Sequence, residues 1–321
     1  MTDSHAAPNE TGRLCKAQKT KVCIKPGDAL GAGDTLLHTD LLPPDLADGV
    51  FTRVKEEVAW NVMHHRGGEL PRLVAVQGDV AADGSFPVYR HPADESPELH
   101  PFTPTVQVIR ERVQRVLSHP VNHVLIQLYR GGNDYISEHS DKTVDVAPGS
   151  SIVNVSLGAQ RTMTLRTKKD VLPVKTMVEV AEDCAGKRDV QRIPLPHNSM
   201  LAMGLATNRE WLHAIRADKR PVSEKTAAEL AEGGARISLT FRCIHTFLSA
   251  DERFIWGAGA HGKTQDAKRP VVYGDVEAEA LLAAFGEENH STVFDWQATY
   301  GDGFDVLHFR LHDTIDNVPL N

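Results

Sequence analysis

The chain has 321 residues, of which 41% are hydrophobic, and a formal net charge of −8; it can bury at least one large core and has the composition of an ordinary globular protein. No run of about eighteen apolar residues occurs, so the sequence predicts no membrane span. The acidic balance weighs mildly against a large polyanionic partner, because neutralising phosphates usually requires a basic face.

The first segment, residues 1–35, is polar and rich in small residues. It contains a basic cluster at Arg13, Lys16, Lys19, Lys21 and Lys25. We interpret it as a flexible arm; a nuclear-import or phosphate-contacting tail is the alternative. No signal-peptide pattern begins the sequence, and four widely spaced cysteines without a C-x-x-C pair favour a reducing compartment. The sequence therefore predicts a cytoplasmic protein, with the nucleus as the alternative.

Two amphipathic helices are predicted in the first third of the chain. The first opens at Pro43-Pro44-Asp45 and carries an apolar residue at every fourth position, at Leu46, Val50, Val54 and Val58. Residues 67–104 are rich in glycine and proline, which indicates short strands and long loops. The second helix is predicted near Thr105 to Leu117, with an apolar stripe of Val106, Ile109, Val113 and Val116.

From Val121 onward the hydrophobic period changes from that of a helix to that of a strand. Alternate residues separate into two sets, Val124, Ile126 and Leu128 against Leu125, Gln127 and Tyr129. Further strand-like runs are Ser151–Leu157, Arg161–Arg166, Met200–Gly204 and Ala235–Cys243. Two helices followed by many short strands predict an α+β domain with a β-sandwich or jelly-roll core, which we assign to residues 36–250.

The remaining segment, residues 251–321, differs in character from the predicted domain. Asp275 begins a short acidic helix, which we expect Gly286 to end. Segments with several aromatic residues follow, around Phe294–Trp296 and from Phe304 to Phe309. So many large apolar residues predict a C-terminal extension that packs on the core. Covering the mouth of an active site and binding a partner are the alternatives.

The segment His139-Ser140-Asp141 is the first sign of chemistry. Residues two apart in an extended segment point to the same side, so both side chains can reach one metal ion. A distant His213 follows the predicted strand at 200–204. Two histidines and one carboxylate form the facial triad of non-haem Fe(II) oxygenases, which leaves coordination positions open. Because the chain has 16 histidines, the H-x-D motif is weak evidence by itself.

The strand-like run from Arg236 to Arg242 is the second sign. With a period of two, one face carries Arg236, Ser238, Thr240 and Arg242, and the other carries Ile237, Leu239 and Phe241. An edge strand with a solvated basic face is the alternative. Two arginines backed by three large apolar residues fit an enclosed anionic ligand better, because the guanidinium fork suits a carboxylate. A dicarboxylate such as 2-oxoglutarate would give each arginine a partner.

These signs stand within a longer pattern of short motifs. The pattern comprises Leu128-Tyr129-Arg130, His139-Ser140-Asp141, Pro148-Gly149-Ser150, Ser156-Leu157-Gly158-Ala159, Pro196-His197-Asn198-Ser199, Thr207-Asn208 to His213, and Arg236-x5-Arg242. In this order and spacing, the sequence from about Pro71 to Arg242 resembles the AlkB-like Fe(II)/2-oxoglutarate dioxygenases. The resemblance covers roughly half the chain and implies a double-stranded β-helix core, with helices before it and the extension after it.

The resemblance also implies roles for individual residues. The iron ligands would be His139, Asp141 and His213. The cosubstrate would contact Arg236 through its distal carboxylate and Arg242 near its keto-acid end. Tyr129 would donate a hydrogen bond to it, and Gln127, which stands where the family usually has asparagine, could also contact it. With Fe(II), 2-oxoglutarate and O₂, such an enzyme oxidises a C–H bond through a ferryl intermediate and releases succinate and CO₂. Oxidation of a carbon attached to nitrogen gives dealkylation.

Two substrate classes compete, an N-alkylated nucleobase in DNA or RNA and a small polar metabolite. Relatives that act on nucleobases typically carry an acidic residue two positions after the iron aspartate Asp141, where this chain has Thr143; Asp145 is a more distant substitute. The region corresponding to the family's aromatic lid, residues 77–91, retains Tyr89 but lacks closely paired tyrosines for stacking a base. These features count against a nucleobase.

Three arginines support the metabolite. Arg90, Arg130 and Arg161 are candidate anchors for a substrate carboxylate, with surface or sheet salt bridges as the alternative. The sequence therefore narrowly favours a small polar metabolite, such as an amino acid or a natural-product intermediate, over oxidative demethylation of nucleobases. A catalytically inactive binding module is a third interpretation, which the intact triad and cosubstrate arginines disfavour.

Overall fold

The computed structural model describes residues 28–65, 68–92, 97–169 and 188–309. The predicted arm, residues 1–35, and its basic cluster therefore lie largely outside the described residues. The described part of that arm, residues 28–35, forms a turn closed by a β-bridge between Leu30 and Thr35. In this turn Asp34 accepts hydrogen bonds from the main-chain N–H groups of Ala206 and Thr207. The chain therefore packs on its core from before residue 36.

The described part of the chain contains both helices and strands. The helices are α1 (Pro44–Ala47), α2 (Val50–Glu57), α3 (Pro104–Leu117), α4 (Leu205–Glu210), α5 (Ala227–Leu230), α6 (Asp275–His290) and α7 (Trp296–Tyr300). The strands before residue 140 are β1 (Leu36–His38), β2 (Asn61–His65), β3 (Gly68–Gly78), β4 (Phe86–Pro87), β5 (Leu99–Pro101), β6 (His123–Tyr129) and β7 (Ile136–His139). None of the described helices is long and apolar enough to span a bilayer.

The later strands complete one eight-stranded sheet, two four-stranded sheets and one two-stranded sheet. They are β8 (Ile152–Gly158), β9 (Arg161–Thr167), β10 (Val190–Leu195), β11 (Ser199–Met203), β12 (Trp211–Ile215), β13 (Arg236–Arg242), β14 (Thr246–Leu248), β15 (Phe254–Gly257), β16 (Arg269–Pro270), β17 (Val272–Tyr273) and β18 (Val306–His308). The main sheet has the order β1-β11-β8-β13-β6-β3-β2, with β5 beside β3, and the second sheet has the order β10-β9-β12-β7. These sheets form the predicted double-stranded β-helix, which confirms the α+β class.

The main sheet has an apolar face and a face that serves the site. On β13 the residues Ile237, Leu239 and Phe241 are fully buried and pack with α2 and α3 in one core cluster. Burying each of these side chains stabilises the fold by about 1.5–3 kcal/mol. The alternate residues of β13, including Ser238 and Thr240, line a cavity on the opposite face. The predicted period of two is therefore confirmed for this strand.

The predicted first helix is in fact two helices. The break comes at Gly49, which has a φ of 66° and so adopts the left-handed conformation that favours glycine. The second predicted helix is confirmed as α3, but its apolar stripe is wrong at one position. Val116 is 43% exposed, and Leu117 packs against the core cluster in its place.

The helix of the C-terminal extension does not end where the sequence predicts. Helix α6 continues through Gly286 and ends at His290. A glycine inside a helix costs about 1 kcal/mol relative to alanine. Burial of Leu281 and Phe285 in the same helix offsets that cost, because both side chains are almost inaccessible to solvent. Packing therefore overrides the local stop signal.

The extension packs against the segment that follows β7. A cluster of buried residues joins Val144 of this segment to Ala278, Leu281, Phe285, Tyr300 and Val306 of the extension. A second contact is the small sheet β16-β15-β14-β4, which pairs strands near residues 246–270 with β4. Residues on both sides of the predicted boundary at 250 therefore share one packed structure.

Arg90 connects the segment after β7 with the C-terminal extension through an ion pair and hydrogen bonds. Its guanidinium donates to the carboxylate of Asp145 and to the main-chain oxygens of Gly259, Phe304 and Val306. The Arg90 and Asp145 side chains are at most 1% exposed, and their closest atoms are 2.7 Å apart. A buried ion pair is favourable only when its remaining donors are also satisfied, and here every N–H of the guanidinium has an acceptor.

We predict that Arg90→Ala lowers the free energy of unfolding by about 3–5 kcal/mol, because it leaves Asp145 buried without its partner. Chemical denaturation measures the effect. Arg130→Ala is the matched control: its side chain is 48% exposed beside Asp134, and such pairs contribute about 1 kcal/mol or less. Equal losses in the two variants would contradict this assignment.

Candidate active site

The second sheet brings the predicted metal ligands together. Strands β7 and β12 pair with His139 opposite His213, and Asp141 follows β7 directly. The Oδ1 atom of Asp141 lies 3.7 Å from Nε2 of His139 and 3.6 Å from Nε2 of His213. One ligand atom from each residue lies within 4.8 Å of the other two. Residues 74 positions apart in the chain (139 and 213) thus form one donor set.

The ionisation of these groups suits a divalent metal. Burial lowers the pKa of His213 to about 3 and also lowers the pKa of His139, so both imidazoles are neutral at neutral pH. Burial alone would raise the pKa of Asp141, but Arg242 and the two imidazoles hold it below its usual range. Neutral imidazoles and an ionised carboxylate are the forms that bind metal.

Hydrogen bonds orient the donors. Arg242 donates from Nε and Nη2 to Oδ2 of Asp141, at 3.0 and 2.6 Å, which leaves Oδ1 towards the imidazoles. Nδ1 of His139 lies 2.8 Å from the carbonyl oxygen of Ser137. A carbonyl only accepts, so Nδ1 carries the proton and Nε2 keeps its lone pair for a metal. This donor set fits Fe(II) in a 2-His-1-carboxylate site.

The structure adds a positioning residue, Asn208, for which the sequence predicted no role. Its side-chain oxygen accepts from the main-chain N–H of Asp141, and its side-chain nitrogen donates to the carbonyl of Asp141, both at 2.9 Å. The residue is 2% exposed and lies in α4, whose start Asp34 holds. Its only sequence signal was its place in the family pattern.

Residues of the extension form hydrogen bonds with the segment 140–143, which contains Asp141. Its contacts are Ser140 N to Asn289 Oδ1, Lys142 Nζ to the Phe285 carbonyl, Thr143 N and Oγ1 to Glu288, and Trp296 Nε1 to the Thr143 carbonyl. By its position after Asp141, Thr143 was a candidate substrate contact; its hydroxyl is bonded to Glu288, and it lines neither of the two cavities beside the triad. No sequence signal linked residues 143 and 288.

A small cavity of about 50 Å³ lies between the sheets, beside the triad. Its lining includes the predicted cosubstrate residues Gln127, Tyr129 and Arg242, together with Asn154. The hydroxyl of Tyr129 donates to the side-chain oxygen of Gln127 at 3.3 Å. Arg236 lies next to this cavity, because its Nη2 donates to Asn154. The structure therefore gathers all four predicted residues at one place.

Arg236 has the surroundings expected of an anion-binding residue. It is fully buried, and burial lowers its pKa to about 10. It donates to Ser156 and Asn154, but its Nη1 atom has no partner, and within the described residues no carboxylate forms a salt bridge with it. A buried cation without an anion is costly. A bound dicarboxylate would remove that cost, so this side of the cavity fits 2-oxoglutarate.

A larger cavity of about 670 Å³ also reaches the triad. Besides His139, Asp141 and Arg242, it is lined by residues of the lid region and of the extension, including Tyr89 and Phe285. Tyr89 stacks on Arg242, with the guanidinium 3.9 Å from the ring centre, and its oxygen accepts from the main-chain N–H of Lys142. This cavity therefore connects the lid region and the extension with the triad.

The three arginines predicted to anchor a substrate carboxylate do not suit that role. Arg90 reaches the larger cavity, but all its donors are used within the protein. Arg130 is half exposed and pairs with Asp134. Arg161 is buried and donates to main-chain oxygens, among them that of Arg216. Their alternative interpretation, salt bridges and structural hydrogen bonds, describes them better.

We predict that Asn208→Ala weakens Fe(II) binding by about 10–100-fold, because contacts that orient a metal ligand have effects of that size. Anaerobic titration calorimetry measures the affinity. Arg209→Ala alters the exposed neighbouring residue of the same helix and serves as the control. An unchanged Fe(II) affinity in Asn208→Ala would show that the main-chain contacts to Asp141 do not position it.

We predict that Arg236→Met weakens binding of 2-oxoglutarate by about thirtyfold or more, since removing one member of a buried charge pair costs about 2–5 kcal/mol. Calorimetry on the Fe(II)-loaded protein measures this. Arg130→Met, outside both cavities, should bind 2-oxoglutarate as the unchanged protein does. Equal affinity in the Arg236 variant would remove the assignment of Arg236 to the cosubstrate.

Comparison with known proteins agrees with this geometry. The family model of the 2OG-Fe(II) oxygenase superfamily matches residues 34–242. Human DNA oxidative demethylase ALKBH2 is 32% identical over 219 residues, covering 64% of this chain and 72% of that protein. Human alkB homolog 3, named as an alpha-ketoglutarate-dependent dioxygenase, is 24% identical over 221 residues, covering 67% and 68%. The solved structure of OsALKBH1 superposes with a TM-score of 0.40 at 15% identity, covering 65% of this chain and 97% of that one. The chain belongs to the AlkB-like Fe(II)/2-oxoglutarate-dependent dioxygenases.

Proposed function

We propose that this enzyme is an oxidative demethylase that removes alkyl groups from the ring nitrogens of nucleobases in DNA or RNA. The observation that carries the proposal is the combination of a complete triad with 32% identity to a protein named as a DNA oxidative demethylase. This reverses the narrow preference for a small metabolite that the sequence favoured. It turns the alternative substrate class into the main one.

The size and lining of the larger cavity support a base as substrate. Small-molecule pockets are typically about 300–1,000 Å³, and this one measures about 670 Å³. An enzyme that acts on a base must stack it between flat or apolar side chains. The lid contributes Tyr89, and the extension contributes Phe309. An aromatic ring in addition to that of the lid therefore comes from a part of the chain outside the family match.

Unpaired polar atoms in the same cavity support recognition of a base edge. Arg72 and His123 line the cavity, and among the described residues Nε of Arg72 and Nδ1 of His123 are buried without a hydrogen-bond partner. Burial lowers the pKa of His123 to about 3, so its ring is neutral and can donate or accept. Buried groups of this kind are costly until a ligand satisfies them, and a base edge presents both acceptors and donors.

The predicted carboxylate anchors do not support the alternative substrate class, because Arg90, Arg130 and Arg161 are engaged within the protein. The cavity lining carries charges of both signs, with Glu98 and Glu252 exposed and Arg72 buried.

The reaction divides between the cofactors and the chain. When bound, Fe(II), 2-oxoglutarate and O₂ supply the oxidation of the N-alkyl carbon, after which the hydroxylated group leaves the nitrogen as an aldehyde. His139, Asp141 and His213 would hold the iron, and Arg236 would hold the distal carboxylate of the cosubstrate. The walls of the larger cavity bring the alkyl group beside the triad and exclude water.

We predict that the Fe(II)-loaded enzyme, supplied with 2-oxoglutarate and O₂, converts methylated oligonucleotides, with equal amounts of formaldehyde and succinate and with restoration of the unmodified base. Mass spectrometry of single-stranded and duplex DNA and RNA carrying one methylated base measures the products. Asp141→Ala, which lacks one iron ligand, should give none. If free amino acids alone stimulate succinate release, the nucleobase assignment is wrong and the small-metabolite alternative replaces it.

A further inference from the structure

Helix α6 of the extension forms part of the active site. The family match ends at residue 242, whereas α6 begins at Asp275. Leu282, Gly286 and Asn289 occur at positions i, i+4 and i+7, which lie on one face of a helix, and all three line the larger cavity. One wall of the substrate cavity therefore comes from outside the region that defines the family.

Gly286 is the point on this face where the cavity has room. A Cβ atom added there would meet no described atom within 4 Å, although the residue lies well inside the helix. Glycine is among the least favourable residues in a helix interior, and its backbone here is not left-handed. The conformation of α6 thus gives no reason for a glycine, whereas the adjoining open space does.

The position of α6 relative to the triad is fixed by hydrogen bonds. The side chain of Asn289 accepts from the main-chain N–H of Ser140, which stands between two metal ligands, at 2.9 Å. The carbonyl of Phe285 accepts from Nζ of Lys142 at 3.0 Å. These contacts flank Gly286 on both sides. The space in front of Gly286 therefore keeps a fixed relation to the segment that carries Asp141.

We propose that α6 is the wall that selects the substrate, and that Gly286 provides the space into which the larger alkylated bases extend. The identity of the substrate rests on the proposed function; the location of the wall does not. A larger side chain at position 286 then excludes substrates according to their size. Alkylated purines, which have two fused rings, lose more activity than alkylated pyrimidines.

The test compares Gly286→Ala and Gly286→Phe with Ala283→Phe, which places the same large side chain on the exposed face of α6. Gly286→Phe should lower kcat/KM for methylated purine oligonucleotides by about tenfold or more, as steric selection in pockets does. Gly286→Ala should mainly shift the ratio of purine to pyrimidine activity. The affinity for 2-oxoglutarate should match that of the unchanged enzyme in all three variants. Neither variant at position 286 should melt at a lower temperature, because alanine and phenylalanine both have a higher helix propensity than glycine.

Two results would overturn the proposal: an unchanged kcat/KM and purine-to-pyrimidine ratio in Gly286→Phe, or an equal loss in Ala283→Phe. Failure of the proposed function looks different, because the unchanged enzyme then converts no methylated oligonucleotide. In that case the Phe variants at positions 286 and 283 are compared on the metabolite that the unchanged enzyme does convert. Loss in the Gly286 variant alone would still support α6 as the selecting wall.

Discussion

The carboxylate of Asp141 is buried and ionised, and such a group is stable inside a protein only where cations and donors surround it. Arg242 of β13 takes one oxygen, the imidazoles of His139 and His213 flank the other, and Asn208 of α4 holds the main chain. These partners come from both sheets and from a helix. The need to satisfy one buried charge therefore sets the spacing between the sheets and the direction in which the triad faces.

The extension makes the metal segment and the substrate cavity depend on each other. Helix α6 holds residues 140–143 through Asn289, Phe285 and Glu288 and also lines the larger cavity. Arg90 donates hydrogen bonds both to the carbonyl of Val306, near the end of the described extension, and to Asp145, which follows the metal-ligand segment. A change in the extension that alters substrate fit also acts on the segment between two metal ligands. The wall that we propose to select the substrate thus lies outside the double-stranded β-helix, in the extension.

Local patterns predicted much of the core and of the site. The alternation along β13 predicted correctly that Arg236 and Arg242 face away from the helix-covered core, because side-chain direction in a strand follows from adjacent residues alone. Local stop signals were less reliable. Gly49 separates two helices that the hydrophobic period joined, and Gly286 fails to end α6, since a break depends on what the helix packs against.

By itself the sequence determined the ligand types, the strand faces and the family, because each rests on neighbouring residues or on the order of short motifs. Only the tertiary structure decided which polar side chains have a hydrogen-bond partner within the protein. Arg90 finds an acceptor in Phe304, 214 residues away, and Thr143 finds Glu288, 145 residues away. The partner of a buried polar group is set by long-range packing, so no local pattern could separate the structural arginines from the free Nη1 atom of Arg236.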